Sequence, residues 1–270
     1  MTPGSDESPG QPSVPSVAAA FTILRTLRTS DTPLTLAELA RATGLPKSST
    51  HRLTATLLEQ RVLLRETSTG RYSLGPDLVE LARGFVEGDT RRDFHVVAEA
   101  VVAEIDQTVQ LAILTAPDVT FVAYVDCSRP VRLATRVGRR LPAHATAAGK
   151  AILAFCPEEQ VQQVVDAGLA TVTSRTIVDA ATFRGELAEV RGRGWALEAE
   201  ESTPNLCCVA APVFGDGERL FGAFTVCVAA RTLPASRVEH YARLAVSAAH
   251  QISGRATASE AGAQAGGGSR

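Results

Sequence analysis

Lysine is almost missing from this 270-residue chain. It stands at positions 47 and 150 alone, so nearly all of the 27 basic residues are arginine. That bias reads as coding preference and carries no function. No apolar run approaches the roughly 20 residues that a membrane-spanning helix needs. The first sixteen residues carry Asp6, Glu7 and repeated prolines in place of an apolar stretch, so no secretory signal is expected there. The five cysteines never stand in C-x-x-C spacing, and Cys207 and Cys208 are adjacent. Reduced thiols in a cytoplasmic protein fit this usage better than a disulfide framework. The histidines, at 51, 95, 144, 240 and 250, are scattered without zinc-ligand spacing, so no metal is expected. With 45% hydrophobic residues the chain is neither wholly disordered nor collagen-like. Its length suits one large domain or two ordinary ones. No internal repeat is found.

The formal net charge is −2, and it is unevenly spread. Residues 13–75 hold eight Lys/Arg against four acids, a charge of +4, which leaves −6 for the remainder. A basic segment on an acidic body points to an anionic partner for that segment. Residues 1–12 and 254–270 are rich in small and polar residues, and both read as disordered tails.

The basic segment carries a specific pattern. Val17, Ala20, Phe21, Leu24 and Leu27 repeat at helical spacing and predict a first helix. Thr35-Leu-Ala-Glu38 is a capping box that opens a short second helix. Gly44 stops it, and Leu45-Pro46 turns the chain into a third helix over about 47–60. On that helix Thr50, Leu53, Thr54 and Leu57 share one face, while Lys47, Ser48, His51, Arg52 and Ala55 form the other. Donors and cations on an exposed helix meet phosphates and base edges, so this is a helix-turn-helix. Two short strands, Val62–Arg65 and Tyr72–Leu74, follow as a hairpin with Arg65 and Arg71 near its tip. Together these elements make a winged helix-turn-helix over 13–75, and a helix at 76–90 reads as a linker.

Residues 91–253 predict an α+β layer fold. A helix over 94–105 precedes strands at 108–114, 119–125 and 131–134. Thr146 caps a further helix, Pro157 opens another, and a third covers 183–193. Strands at 195–198, 208–214 and 220–229 lead to a closing helix over 234–252. An antiparallel sheet with helices mainly before and after it is the result.

Two catalytic readings fail on their own terms. Ala148-Gly149-Lys150-Ala151 suggests a phosphate-binding loop, but His144 stands where the first glycine belongs and Ala151 where Ser or Thr is required. Cys207 or Cys208 with His144 would make a nucleophile and base. Yet both thiols open an apolar strand, where a buried cysteine is ordinary packing. What remains is a pocket. The helix start at Thr146 offers free N–H groups and a positive dipole end, and residues 138–144 are polar enough to form its rim.

Several of these stretches resemble one family. Leu34-Thr-Leu-Ala-Glu-Leu-Ala-Arg-Ala-Thr-Gly-Leu-Pro-Lys-Ser-Ser-Thr-His-Arg-Leu53 looks like the helix-turn-helix of IclR-type transcriptional regulators, and Tyr72-Ser-Leu-Gly75 resembles their wing exit. Leu141-Pro-Ala-His-Ala-Thr-Ala-Ala-Gly-Lys-Ala-Ile-Leu-Ala154 is similar to a signature of their effector domain. Gly194-Trp-Ala-Leu-Glu-Ala-Glu-Glu201, followed by Cys208-Val-Ala-Ala-Pro-Val213, resembles the next one. The resemblance implies a winged-helix DNA-binding domain, a linker helix and a GAF-like effector-binding domain. It also implies homodimers or homotetramers that bind double-stranded operator DNA and answer to organic acids or aromatic metabolites, some as repressors and some as activators. No cofactor is implied.

Carried over by motif, the effector pocket comprises Ala147, Ala148, Glu198, Cys208, Thr225 and Cys227, with Gly138 and Leu141 at the rim. Glu198, Thr225 and Cys227 replace the short acid and serine-like residues usual there, which implies an effector other than the smallest keto acids. Asn205 stands where a glycine is common, and Thr50 and Thr54 where the recognition helix is usually apolar. DNA contacts are expected from Thr35, Lys47, Ser48, Ser49, His51 and Arg52, and from Arg65 and Arg71 on the wing. The competing reading is a small-molecule enzyme or ligand carrier with a helical N-terminal dimerisation arm. The +4 segment and the polar face of the third helix count against it, because such an arm would bury an apolar face there.

Overall fold

The computed structural model of the chain describes residues 14–86, 89–128, 137–215, 219–233 and 235–266. It divides into two compact units, Met1–Val86 and Glu87–Arg270.

The first unit opens with α1 (Pro15–Thr29), which has proline in its first turn. Its buried side chains are Ile23 and Leu27. Val17 and Phe21, which share the expected apolar stripe, are instead 52% and 53% exposed. Helix α2 (Leu36–Thr43) begins with the capping box complete. Glu38 N donates to Thr35 Oγ1, and the Glu38 carboxylate accepts from the Thr35 N–H at 2.7 Å. It ends at Gly44 in the left-handed conformation, φ 69°. Helix α3 (Lys47–Glu59) follows Pro46. Strands β1 (Leu63–Arg65) and β2 (Tyr72–Leu74) pair antiparallel, with Arg65 opposite Tyr72. Ile23, Leu27, Leu39, Leu63 and Tyr72 form the core. Helix α4 (Asp77–Val86) closes the unit.

The second unit starts at α5 (Asp89–Ile105), several residues before the expected start at Phe94. Strands β3 (Thr108–Thr115) and β4 (Asp118–Val125) form a hairpin. The strand expected over 131–134 lies outside the described residues. The segment read as a rim contains a short edge strand, β5 (Arg140–Pro142), paired with β4. A 3-10 turn (Ala143–Ala145) leads into α6 (Ala147–Leu153), whose cap is Thr146. Then come α7 (Glu158–Asp166), α8 (Ala180–Arg193), β6 (Ala196–Ala199), β7 (Leu206–Phe214), β8 (Leu220–Ala229) and α9 (Ala235–Gly266). The closing helix continues to Gly266, where the sequence predicts irregular chain from residue 254.

The six strands of this unit lie in the order β5-β4-β3-β8-β7-β6, and every pairing is antiparallel. Because side chains alternate along a strand, the sheet has two different faces. Val109, Leu111, Val209, Ala211, Phe224 and Val226 pack with α5 and α9. Ala112, Cys208, Ala210, Ala223 and Cys227 pack with the helices α6, α7 and α8. Helices thus cover both faces of one antiparallel sheet, the α+β layering that the sequence predicts.

Candidate functional site

In the first unit, α3 sorts its residues as the spacing requires. Thr50 and Thr54 are buried, at 0% and 1% exposure, with Leu53 and Leu57 half-buried beside them. Their hydroxyls are satisfied within the helix, Thr50 by Pro46 O at 3.0 Å and Thr54 by His51 O at 3.0 Å. Each threonine therefore presents a methyl group to the core at little polar cost. Lys47, Ser48, His51 and Arg52 are exposed, and Ser49 is half-buried. Ser49 and Arg52 also line an open groove between α1 and α3.

The wing arginines are already engaged. Arg71 Nη1 donates to Pro33 O at 2.7 Å and to Glu38 Oε2 at 3.1 Å. Glu38 Oε2 also accepts from the Thr35 hydroxyl at 2.9 Å. Those hydrogen bonds, the backbone N–H of Thr35 first, hold the Glu38 carboxyl below its ordinary range, with the Arg71 and Arg41 charges adding to the effect. Thr35 and Arg71 thus clamp the start of α2 to the wing. Arg65 lies along the hairpin, with Nε toward Gly70 O at 3.4 Å and its guanidinium 5.6 Å from the Tyr72 ring centre.

In the second unit the strand register assembles a narrow cavity. Glu198 on β6 is opposite Cys208 on β7, Cys208 is opposite Cys227 on β8, and Thr225 on β8 is opposite Gln110 on β3. All five lie on the sheet face that meets α6. About 30 Å3 of the cavity is open to the centre of a water molecule. Its walls include Leu141, Ala147, Ala148, Glu198, Cys208 and Thr225, six of the eight residues carried over by resemblance. Gly138 and Cys227 do not line it. Gly138 N–H donates to Phe121 O in a turn at φ 82°, and Cys227 Sγ stands 3.6 Å from Cys208 Sγ behind the wall. Of the remaining walls, Thr146 and Arg139 belong to the helix start and rim that the sequence suggests, while Gln110, Phe121, Ser202, Thr203 and Leu206 carry no expectation from it. Gln110 had a signal: it is the one polar side chain in the run Val109–Leu114.

Glu198 has 0% exposure. Its Oε1 accepts from the backbone N–H groups of Glu201 (2.6 Å) and Ser202 (2.9 Å). Its Oε2 has no hydrogen-bond partner, and neither has the buried Thr225 hydroxyl. Burial pushes the Glu198 carboxyl up to about 7, against the two N–H donors, and the Glu201 charge adds to the rise.

Beneath the cavity, Lys150 is 1% exposed and donates to Glu201 Oε1 at 2.7 Å, with Glu186 at 3.9 Å. Gly149 lets α6 approach the preceding turn closely, since an added Cβ would lie 2.1 Å from Ala143 O. The Gly149-Lys150 pair therefore serves packing and a buried ion pair, in agreement with the rejection of a phosphate loop. His144 is a satisfied core histidine. Its Nε2 donates to Ala170 O at 3.0 Å, and its ring meets Phe183 edge-on. Contact with Cys227 and burial hold the Cys208 thiol well above its ordinary range, the reverse of an activated nucleophile. All five cysteines are free thiols.

Residues 86–254 match the description of the bacterial transcriptional regulator IclR C-terminal domain, and residues 16–66 match the IclR helix-turn-helix domain. The chain belongs to the IclR family. Members of that family are transcriptional regulators, so the regulator reading stands over the enzyme or carrier alternative. The transcriptional repressor IclR of Escherichia coli K12 is 28% identical over 254 residues, covering 93% of each chain. The glycerol operon regulatory protein of Streptomyces griseus is 31% identical over 214 residues, 79% of this chain and 84% of that one. Among solved structures, an IclR homologue from Microbacterium hydrocarbonoxydans, complexed with 4-hydroxybenzoate, superposes with TM-score 0.79. It is 25% identical, over 89% of this chain and 98% of that one. The IclR helix-turn-helix makes the first unit a DNA-binding domain. No described helix is long and apolar enough to cross a membrane.

Proposed function

We propose that this IclR-family regulator reads double-stranded operator DNA with the outer face of α3, as a cytoplasmic homodimer or homotetramer. We further propose that a small organic acid or aromatic metabolite, bound in the cavity between the sheet and α6, modulates that binding. The observation that carries the DNA reading is the division of α3. Thr50 and Thr54 are buried, while Lys47, Ser48, His51 and Arg52 face outward as donors. Ser49 of α3 and Arg65 of the wing are assigned to the same DNA contact, while Thr35 and Arg71 position α2 by clamping it to the wing. Phosphate contacts by Arg and Lys make binding salt-sensitive, and base-edge contacts make it selective.

The effector reading is supported by the buried, unpartnered Glu198 Oε2 and Thr225 Oγ1 in the cavity wall, and by the relative that holds 4-hydroxybenzoate. So narrow a cavity admits such a molecule only if its walls part, which is the coupling a sensor needs: a ligand shifts the equilibrium by its differential affinity for the two states.

Fluorescence anisotropy with promoter DNA adjacent to the gene tests the proposal. A sequence-specific complex is expected at moderate salt, weakened about tenfold or more by Arg52→Ala. The absence of a specific complex, with and without 4-hydroxybenzoate and related acids, would refute it.

A further inference from the structure

We propose that Glu198 is the specificity-determining residue of the cavity and acts in its protonated form, so that an anionic effector binds together with a proton. This rests on the reading of the cavity as the effector site.

The geometry decides where the proton sits. Glu198 Oε1 is already filled by two backbone donors, the N–H groups of Glu201 and Ser202. Oε2 has none, and the residue has no exposure to water. A proton on this carboxyl therefore goes to Oε2, the oxygen left over in the cavity wall. The wall then presents the O–H of Glu198 together with the unpartnered O–H of Thr225, while the Cys208 thiol is turned to Cys227. Such a set recognises a group that only accepts hydrogen bonds: a carboxylate, a ketone oxygen or a phenolate.

The charged surroundings favour the neutral form. On the loop after β6, Glu201 adds a like charge. From α6, Lys150 is directed to Glu201 at 2.7 Å, with Glu186 of α8 on its other side. From β7 and β8 come the thiols of Cys208 and Cys227, 3.6 Å apart. Arg139 lines the cavity as its cation, and Glu198 has no ion pair with it among the described residues. Two anions, a Glu198 carboxylate and an effector carboxylate, would repel each other in a site closed to water. Proton uptake removes one of the two charges.

The experiment is a calorimetric titration of the full chain with benzoate, pyruvate and 4-hydroxybenzoate at pH 6, 7 and 8. The carboxylates of all three probes stay ionised throughout that range. With half-protonation near pH 7, affinity should fall about tenfold from pH 6 to pH 8, with proton uptake seen as a dependence of the heat on the buffer. Glu198→Gln keeps an acceptor for the two N–H groups and places an N–H where the O–H was. It should bind about tenfold more tightly than the wild type at pH 8 and lose the slope. Wild-type affinity that is flat with pH overturns the proposal, and so does a slope that survives in Glu198→Gln. If no probe binds at any pH, the effector reading of the cavity falls first and this inference with it.

Discussion

Glu198 ties stability to pH as well as recognition. Its folded-state value of about 7 lies above the ordinary 4.5, so the folded chain holds this proton more tightly than the unfolded chain. The stabilisation is complete below about pH 4.5, where both states are protonated, and is lost as pH rises toward 7. At about 1.4 kcal/mol per unit, the loss is on the order of 3 kcal/mol. Denaturant unfolding of the second unit at several pH values, wild type against Glu198→Gln, isolates this contribution. The two curves should diverge between pH 4.5 and 7 and run parallel above it, with the variant gaining. Curves parallel throughout would show that Glu198 ionises in place. The wing poses a second question at this scale, because Arg71 is bound to Pro33 and Glu38 while Lys47 is exposed. Lys47→Ala should lower the salt slope of DNA binding by about one. Arg71→Ala should weaken binding with its slope kept if the residue acts by clamping α2 to the wing, as its bonds to Pro33 and Glu38 suggest. A reduced slope in Arg71→Ala would return that residue to the DNA contacts.

At the scale of elements, short-range chemistry was legible and long-range register was not. The capping box at Thr35, the stop at Gly44 and the Thr146 cap are written in a few adjacent residues, and the elements begin and end there. Asn205, where glycine is common, adopts φ 62°, a left-handed conformation that asparagine tolerates better than most residues. Helix α1 misled because its helical stripe can be drawn on two faces. The core takes Ile23 and Leu27, and Val17 and Phe21 face outward. The cavity shows the same limit. Motif resemblance found Glu198, Cys208 and Thr225, but Gln110 joins them only because β3 pairs with β8, a crossover that no local pattern encodes. Cys227 stands opposite Cys208 in the same register, and its thiol meets Cys208 rather than the cavity. Gly149 offers a test of how this end of the sheet is built. Its missing side chain lets the Ala143 carbonyl rest on α6, so Gly149→Ala forces that turn away. Overpacking of this kind costs about 1–3 kcal/mol. Because Ala147 and Ala148, immediately before it, stand in the cavity wall, effector affinity should fall along with the melting temperature. An unchanged melting temperature would contradict the close approach.

Over the whole molecule, the near-neutral net charge hides two opposite halves. The +4 segment proposed to meet DNA offsets a remainder of −6; the second unit alone, with 18 Lys/Arg against 21 acids, is −3, which discourages it from wrapping nucleic acid. Reading a pseudopalindromic operator takes two such heads, and the outer face of α1 supplies a reason for them to associate. Val14, Val17 and Phe21 succeed one another at i, i+3 and i+7, at 60%, 52% and 53% exposure. A row of apolar side chains in water is the kind of surface that association covers. Were this row the contact of the proposed homodimer, its burial against a second copy of the chain would fix the spacing of the two recognition helices. Replacing Val17 and Phe21 together by glutamate leaves the core residues Ile23 and Leu27 untouched, so the first unit should still fold. Light scattering should then show a smaller assembly. Operator affinity should drop at least about a hundredfold, because each head must bind without the effective concentration that its partner provides. If the doubly substituted chain keeps both its mass in solution and its operator affinity, the two heads are joined elsewhere and the α1 row is not the dimer contact.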